Sequence, residues 1–363
     1  MTRLCHLRSL HLVTYENALH MQQRLVEMRQ REEIPDQLLL LEHPPVITLG
    51  RGGNAANLLA NPAELQARGV RFYETTRGGD ITYHGPGQLV GYPILHMGEG
   101  NRDVRKYVSA LEEVLIRTVA EFNIATERHA SRRGVWVGNA KIAAIGVRIA
   151  RWVTSHGFAL NVSTSDEDFA LITPCGLRGS GVTSMEQCTG VAVSTHAVRA
   201  AVARHFANVL DRELIEQPHD IGIVKVLVQA GEHVLLLRRR KAGFWQPVTG
   251  RIEPGEDPRH AASRELLEET GLSSEVSPLR MRQSFLLDPE FVPELGQPLV
   301  LAEETAFCAT APSAFKVSLD SEEHDDWGWF TFQEAYAKIR WSDDRDSLEQ
   351  LQRLSAGSTA PGK

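Results

Sequence analysis

Two hydrophobic periods succeed one another along the chain. Thr14 can cap a helix over residues 15–31, with Ala18, Leu19, Leu25 and Val26 spaced for one face. Residues 37–41 form an apolar run of strand length, stopped by His43-Pro44-Pro45. Residues 46–49 read as another strand, broken by Gly50. Asp103 can cap a second helix whose stripe is Val104, Tyr107, Val108, Leu111, Leu115, Val119 and Phe122. Strands are predicted at 134–137, 143–149 and 157–162, and a further helix over about 194–211. Residues 213–220 are mostly polar and contain Pro218. Past them the pattern restarts with apolar 224–230, a Gly231-Glu232 turn and apolar 234–237, which is a β-hairpin by spacing. The expected organisation is a domain over 1–213, a linker over 214–220, a second domain over 221–352 and a disordered small-residue tail over 353–363. The two halves do not resemble each other.

Composition narrows the class. The 363 residues are 42% hydrophobic and 23% charged, an ordinary globular balance. A net charge of −7 argues against a nucleic-acid partner, although Arg238-Arg239-Arg240-Lys241 is either a local basic patch or a solvated strand end. No run of eighteen apolar residues predicts a membrane span, and the N-terminal residues lack a secretion signal. Four separated cysteines without a CxxC are too few for a disulfide scaffold, so a cytoplasmic location is expected.

The most specific motif is GRIEPGEDPRHAASRELLEETGL, residues 250–272. Asp257-Pro258 starts a helix and Gly271 ends it. Glu265, Glu268 and Glu269 then share one helix face. Three clustered carboxylates repel unless a cation sits among them, and oxygen ligands suit Mg²⁺ or Mn²⁺. Alone, the same triplet also describes a solvated acidic helix. The full spacing does not: Gly250, five residues, Glu256, seven residues and then the Arg264-Glu265 run resemble the Nudix box. That resemblance covers about 221–352 and implies a Nudix α/β/α sandwich that hydrolyses a phosphorylated small molecule. It implies Glu268 and Glu269 as metal ligands, Glu265 as a third ligand or base, and Glu256 as the residue that orients Arg264. The flanks LLLRRRKAGFWQPVTGRIEPGE and EEHDDWGWFTFQEAYAKIRWSDDRDSLEQL resemble the dihydroneopterin triphosphate pyrophosphatase branch, which makes Glu323 the implied fourth ligand. Phe244 and Trp245 either stack on a substrate ring or pack in the core.

In the first half, RGGDITYHGPGQLVGYP (77–93) holds five glycines, enough to bring backbone N–H groups close to a ligand. Lys141 stands just ahead of an apolar strand, and Cys175 lies between Pro174 and Gly176. An ammonium near a thiol favours the nucleophilic thiolate. By themselves these residues read rather as a small buried cysteine and a solvated lysine. The segments containing them, with DQLLLLEHPPVITLGR (36–51), resemble the octanoyltransferase family of lipoate biosynthesis over about 1–213. The resemblance implies a mixed-sheet α/β fold like the biotin/lipoate protein ligase catalytic domain. It implies Cys175 as the acyl-thioester cysteine and Lys141 as its partner. The implied substrate-binding stretches are Arg77, Gly78, Gly79, Asp80, Ile81, Thr82, Tyr83 and His84; Ala144, Ile145 and Gly146; and Gly157, Phe158 and Ala159. His84 and His156 are expected to position rather than to act as bases. Octanoyl-acyl carrier protein is the implied donor. Lipoyl domains of 2-oxoacid dehydrogenases and the glycine cleavage H protein are the implied acceptors, with no cofactor for the transfer and no nucleic-acid or membrane partner. The alternative is an ATP-dependent lipoate- or biotin-type ligase carrying a non-catalytic nucleotide-sensing Nudix module.

Overall fold

The strand expected at 37–41 is apolar from Leu38 to Leu41 because both of its faces are covered. In the computed structural model it spans Asp36–Glu42. Leu38 and Leu40 join the core shared with the helices Val104–Ala120 and Thr195–Leu210, while Leu39 and Leu41, pointing the other way, are fully buried too. The structure describes residues 3–129, 132–173, 181–287, 292, 295–297, 299–319 and 322–357. The chain divides into two compact units, Met1–Pro218 and His219–Lys363.

In the first unit one sheet runs in the order Arg212–Glu216, Arg3–Leu12, Asp36–Glu42, Gln88–Ile94, Val153–Asn161, Ala140–Ala150, Val135–Val137, Glu127–Arg128. The first three strands are parallel and the rest antiparallel. A smaller sheet sets Val46–Leu49 between Arg71–Glu74 and Ile81–His84. The predicted caps are in place: Thr14 accepts from the Asn17 N–H, and Asp103 from Arg105 and Lys106. The helix Tyr15–Gln30 packs across Gln88–Ile94 and Val153–Asn161.

Two expectations of irregular chain are corrected. Residues 214–216 are the end of the strand Arg212–Glu216, paired residue for residue with Cys5–Leu7. This strand is held by backbone bonds, by Leu214 against the core and by an ion pair. Arg212 and Arg29 both bind the buried Asp36 carboxylate, at 2.9 and 2.8 Å. Residues 353–357 belong to the helix Ser342–Gly357, where the Ser355 hydroxyl donates to Gln229 Oε1 at 2.8 Å. Residues 358–363 lie outside the described residues.

The second unit is a sheet between helices. Its strands run Trp245–Gln246, His233–Arg239, Ile221–Ala230, Val300–Thr310, Val276–Leu287, with Val248–Arg251 on Ile221–Ala230 and His324–Thr331 on His233–Arg239. Gln229 faces Val234 and Ala230 faces His233, so Gly231-Glu232 is a two-residue hairpin turn. Strand alternation sorts the two faces. Val224, Val226 and Val228 pack with Ala261, Ala262 and Leu266 of the helix Pro258–Thr270, and Leu227 packs with Leu348 and Leu351 of the helix Ser342–Gly357.

That alternation also sends Lys225 inward. It is fully buried, with Nζ 2.5 Å from Glu304, 2.6 Å from Asp344 and 3.6 Å from Asp343. Burial pushes the Glu304 and Asp344 carboxyls up, and the Lys225 ammonium opposes it. A carboxyl raised in the folded state stabilises folding at low pH and loses that contribution as pH climbs through its folded value. Lys225→Met removes the opposing charge and strands the carboxylates. The second unit is expected to lose about 3–5 kcal/mol, and the loss should be larger at pH 8 than at pH 5. Urea unfolding at both pH values, followed by tryptophan fluorescence, checks this; an equal loss at both would contradict it.

Candidate functional site

The first unit encloses a cavity of about 420 Å³, a size typical of small-ligand sites. Its wall is the 77–84 segment on one side and the hairpin of Ala140–Ala150 and Val153–Asn161 on the other. The two can approach because Gly146 has no side chain: a Cβ there would sit 2.8 Å from the Gly78 carbonyl oxygen. The Gly78 N–H donates to the Val147 carbonyl at 3.0 Å and closes the contact. Arg77 is buried and spent on the framework. Its guanidinium donates to the Thr48 carbonyl at 2.7 Å, to the Thr48 hydroxyl at 2.9 Å and to the Gly78 carbonyl at 3.1 Å. Asp80 accepts from the Asn54 N–H at 2.9 Å and the Asn57 amide at 2.6 Å.

Gly78, Gly79, Asp80, Ile81, Thr82 and His84 line the cavity with Arg77. Ala144, Ile145, Gly146, Gly157, Phe158 and Ala159 line it from the hairpin. Tyr83 does not. Strand alternation turns it into a separate core, edge-on to Phe169 at 5.5 Å between ring centres. Lys141, the second residue of its strand, lines the cavity with Nζ 4.9 Å above the buried Trp136 ring. Its backbone partner is Val182, and Gly181 pairs with Ala140. Cys175 lies outside the described residues, between Thr173 and Gly181.

Burial keeps three histidines neutral here. His84, at about 3, and His156, at about 4, are both pushed down by burial first and by nearby cationic groups after it. His84 Nδ1–H donates to Gln88 Oε1 at 2.6 Å, and Gln88 in turn donates to Asn161. The third, His43, was not singled out by sequence reasoning, and neither were Tyr15 and Tyr92. His43 Nδ1 lies 2.6 Å from the Val13 carbonyl, which can only accept, so Nδ1 carries the proton and Nε2 accepts from the Tyr92 hydroxyl at 2.8 Å. His43 sits edge-on to Tyr15 and His84 at 5.5 and 5.7 Å. The one sequence signal was a histidine that ends an otherwise apolar strand.

In the second unit, Asp257 caps the helix Pro258–Thr270 and Gly271 ends it in the left-handed conformation. Arg264 organises the carboxylates. It grips both oxygens of Glu256 at 3.0 and 2.9 Å, and reaches Glu265 at 2.7 Å, Glu268 at 3.2 Å and the Arg251 carbonyl at 2.9 Å. That grip holds the Glu256 carboxyl down at about 2. Glu265 folds over Gly250, where a Cβ would fall 1.8 Å from its carboxyl carbon. Glu269 is buried. Desolvation first, then the Glu265 charge, pushes its carboxyl up to about 9.

Ligand atoms of Glu269, Glu323 and His324 lie within 4.8 Å of one another. A divalent cation fits this group, because the buried Glu269 Oε2 has no hydrogen-bond partner and the Glu265 and Glu323 charges both bear on Glu269. Glu265 adds its charge to Glu269 and Glu323 but stands outside the tight group. Glu268 is the exposed member, turned to Arg264 one helical turn back. His324 was missed by sequence reasoning, although it directly follows Glu323. Phe244 and Trp245 serve the protein's own packing: Trp245 meets Phe330 edge-on at 5.2 Å and Phe244 meets Trp341 at 6.0 Å. In the basic run, Arg238 pairs with Asp325 at 2.7 Å and Arg239 with Glu323, so acidic neighbours compensate it.

Comparison with known proteins accounts for both units. Residues 14–207 match the lipoyl protein ligase A/B catalytic domain, and residues 218–351 match the NUDIX domain. The octanoyltransferase of Myxococcus xanthus is 41% identical over 350 residues, 93% of this chain and 96% of that protein. The octanoyltransferase of Solibacter usitatus is 52% identical over 213 residues, 59% of this chain and 96% of that protein. The structure of the E. coli dihydroneopterin triphosphate pyrophosphohydrolase covers 36% of this chain and 92% of its own, at 26% identity and a TM-score of 0.34. Among the described residues no helix is long and apolar enough to cross a membrane. With one family matched over more than half the chain and a relative aligned along nearly all of it, the chain belongs to the octanoyltransferase family and is an enzyme that carries a NUDIX domain behind its transferase domain.

Proposed function

We propose that the first unit moves an octanoyl group from acyl carrier protein to the lysine of lipoyl domains, including those of 2-oxoacid dehydrogenases and the glycine cleavage H protein. The observation that carries this is the cavity itself. Its wall is largely apolar, with Val90, Ile145, Val147 and Phe158, and Lys141 is the amine that faces it from the strand beside Val182. The Cys175 thiolate attacks the octanoyl thioester, a new carbon–sulfur bond forms, and the carrier's thiol leaves with a proton. The target lysine's amine then attacks the octanoyl–Cys175 thioester, the amide forms, and Cys175 takes back its sulfur electrons. Lys141 delivers and removes the proton at each step. Backbone N–H groups of the 77–80 segment are suited to hold the oxyanion. Neutral His84 and His156 orient groups and do not trade protons, as their low values support.

The second unit, in this reading, hydrolyses a pyrophosphate bond of a pterin or nucleoside triphosphate, with dihydroneopterin triphosphate the first choice. A bound Mg²⁺ or Mn²⁺ supplies Lewis-acid polarisation and an activated water. Glu269 and Glu323 would hold it, with Glu265 and Glu268 completing the carboxylate set. Glu256 keeps Arg264 in place, and Arg264 steadies Glu265.

Incubation with octanoyl carrier protein is expected to add one octanoyl mass at Cys175, seen by intact-mass and peptide analysis; Cys175→Ser that transfers octanoate at the parental rate would sink the thioester. Lys141→Ala should slow transfer by on the order of 10²-fold or more and move iodoacetamide alkylation of Cys175 to higher pH, and Lys141→Arg should not restore the rate. An unmoved alkylation profile would remove Lys141 from the mechanism.

The two activities are expected to separate. A fragment ending at Pro218, which keeps the strand Arg212–Glu216, should fold and transfer octanoate by itself. An insoluble fragment beside a soluble full chain would mean that the units fold together. Glu269→Gln should cut metal-dependent hydrolysis by at least on the order of 10²-fold and leave transfer intact. The assay is a panel of pterin and nucleoside triphosphates, nucleotide sugars and dinucleoside polyphosphates, each with and without Mg²⁺. Preference for a sugar- or dinucleoside-linked substrate would overturn the substrate assignment, and no turnover of any member would overturn the hydrolase.

A further inference from the structure

Of the two potential ligand groups among the described residues of the second unit, Glu304, Asp343 and Asp344 surround the Lys225 ammonium, and the other is not made of carboxylates alone. His324 opens the strand His324–Thr331 and pairs in register with Arg239 of the neighbouring strand. Its side chain is fully buried, and its Nδ1 lies 4.0 Å from Glu269 Oε1. That separation is too long for a hydrogen bond. It suits two ligands of one ion, since donors about 2.1 Å from a common cation stand at most about 4.2 Å apart. Glu269 itself is 4% exposed, and its Oε2 is buried with no hydrogen-bond partner. Glu323, the third member, is already ion-paired with Arg239. A cation at this site therefore competes with a guanidinium for one carboxylate.

We propose that His324 is a direct ligand of the divalent cation, together with Glu269 and Glu323, and that this mixed nitrogen–oxygen set selects Mn²⁺ or Co²⁺ over Mg²⁺. The inference rests on the hydrolase reading of the second unit and deepens it. Mg²⁺ favours an all-oxygen shell, whereas imidazole suits first-row transition metals. Glu323 ends the turn before the strand that His324 opens, and the carboxylate helix brings Glu269 to meet them.

The test uses the full chain loaded with Mn²⁺ and reads electron spin-echo envelope modulation. The expected result is a directly coordinated ¹⁴N coupling in the parent chain that disappears in His324→Gln. Mn²⁺ affinity should fall by about tenfold or more in that variant, with a smaller loss for Mg²⁺. Absence of the coupling in the parent chain, or the same coupling in His324→Gln, would overturn the assignment. Should His324→Gln misfold, the parent spectrum and its Mn²⁺-to-Mg²⁺ affinity ratio decide the matter, and a ratio near one counts against it. Turnover without nitrogen coupling refutes the ligand and spares the hydrolase. Nitrogen coupling without turnover of any substrate supports the ligand and refutes the hydrolase.

Discussion

A cation drawn out of water must have its donors satisfied, or the fold loses more than the burial gains, and each unit of this chain is organised around one densely bonded guanidinium, buried in the first and half-buried in the second. In the first unit it is Arg77, whose guanidinium is bound to the Thr48 carbonyl and hydroxyl and to the Gly78 carbonyl. Those bonds fasten the glycine-rich segment to the small sheet, and the Gly78–Val147 bond fastens it to the hairpin. The cavity is the space left between the two. In the second unit the role falls to Arg264, which draws Glu256, Glu265 and Glu268 around one guanidinium and leaves Glu269 facing inward.

The two sites differ in how they treat charge. The cavity of the first unit and the His43 ring beside it keep their polar aromatic groups neutral: His43, His84 and His156 are depressed by burial, and Tyr15 and Tyr92 are raised by it. The charges on the cavity wall are Lys141, the guanidinium groups of Arg77, Arg132 and Arg133, and the Asp80 carboxylate. The carboxylate cluster of the NUDIX domain does the reverse. Burial first, and then the Glu265 charge, makes Glu269 resist ionisation. Lys225 shows the same problem solved internally, with an ammonium placed among Glu304, Asp343 and Asp344.

The segment 212–216 has a similar lesson. It looks like a linker because the chain from Glu213 to Asp220 is mostly polar and contains Pro218, yet it pairs in parallel with Arg3–Leu7. Its hold comes from backbone bonds, from Leu214 against the core and from the Asp36 carboxylate shared by Arg29 and Arg212. None of these leaves a periodic trace in so short a segment.

Local spacing by itself determined the helices capped at Thr14, Asp103 and Asp257, the Gly231-Glu232 hairpin, the two-faced strand around Leu38–Leu41 and the acidic face of the carboxylate helix. Each of these depends on neighbours within a few residues, so the order of residues carries it. Tertiary structure decided the rest. It turned Tyr83 away from the cavity and brought His43, Tyr15 and Tyr92 to one cluster. It also separated Glu268 from Glu269 and joined His324 to Glu323 and Glu269. Those outcomes rest on contacts between strands and helices far apart in the chain, and on which face of a strand the register turns inward, neither of which any single segment encodes.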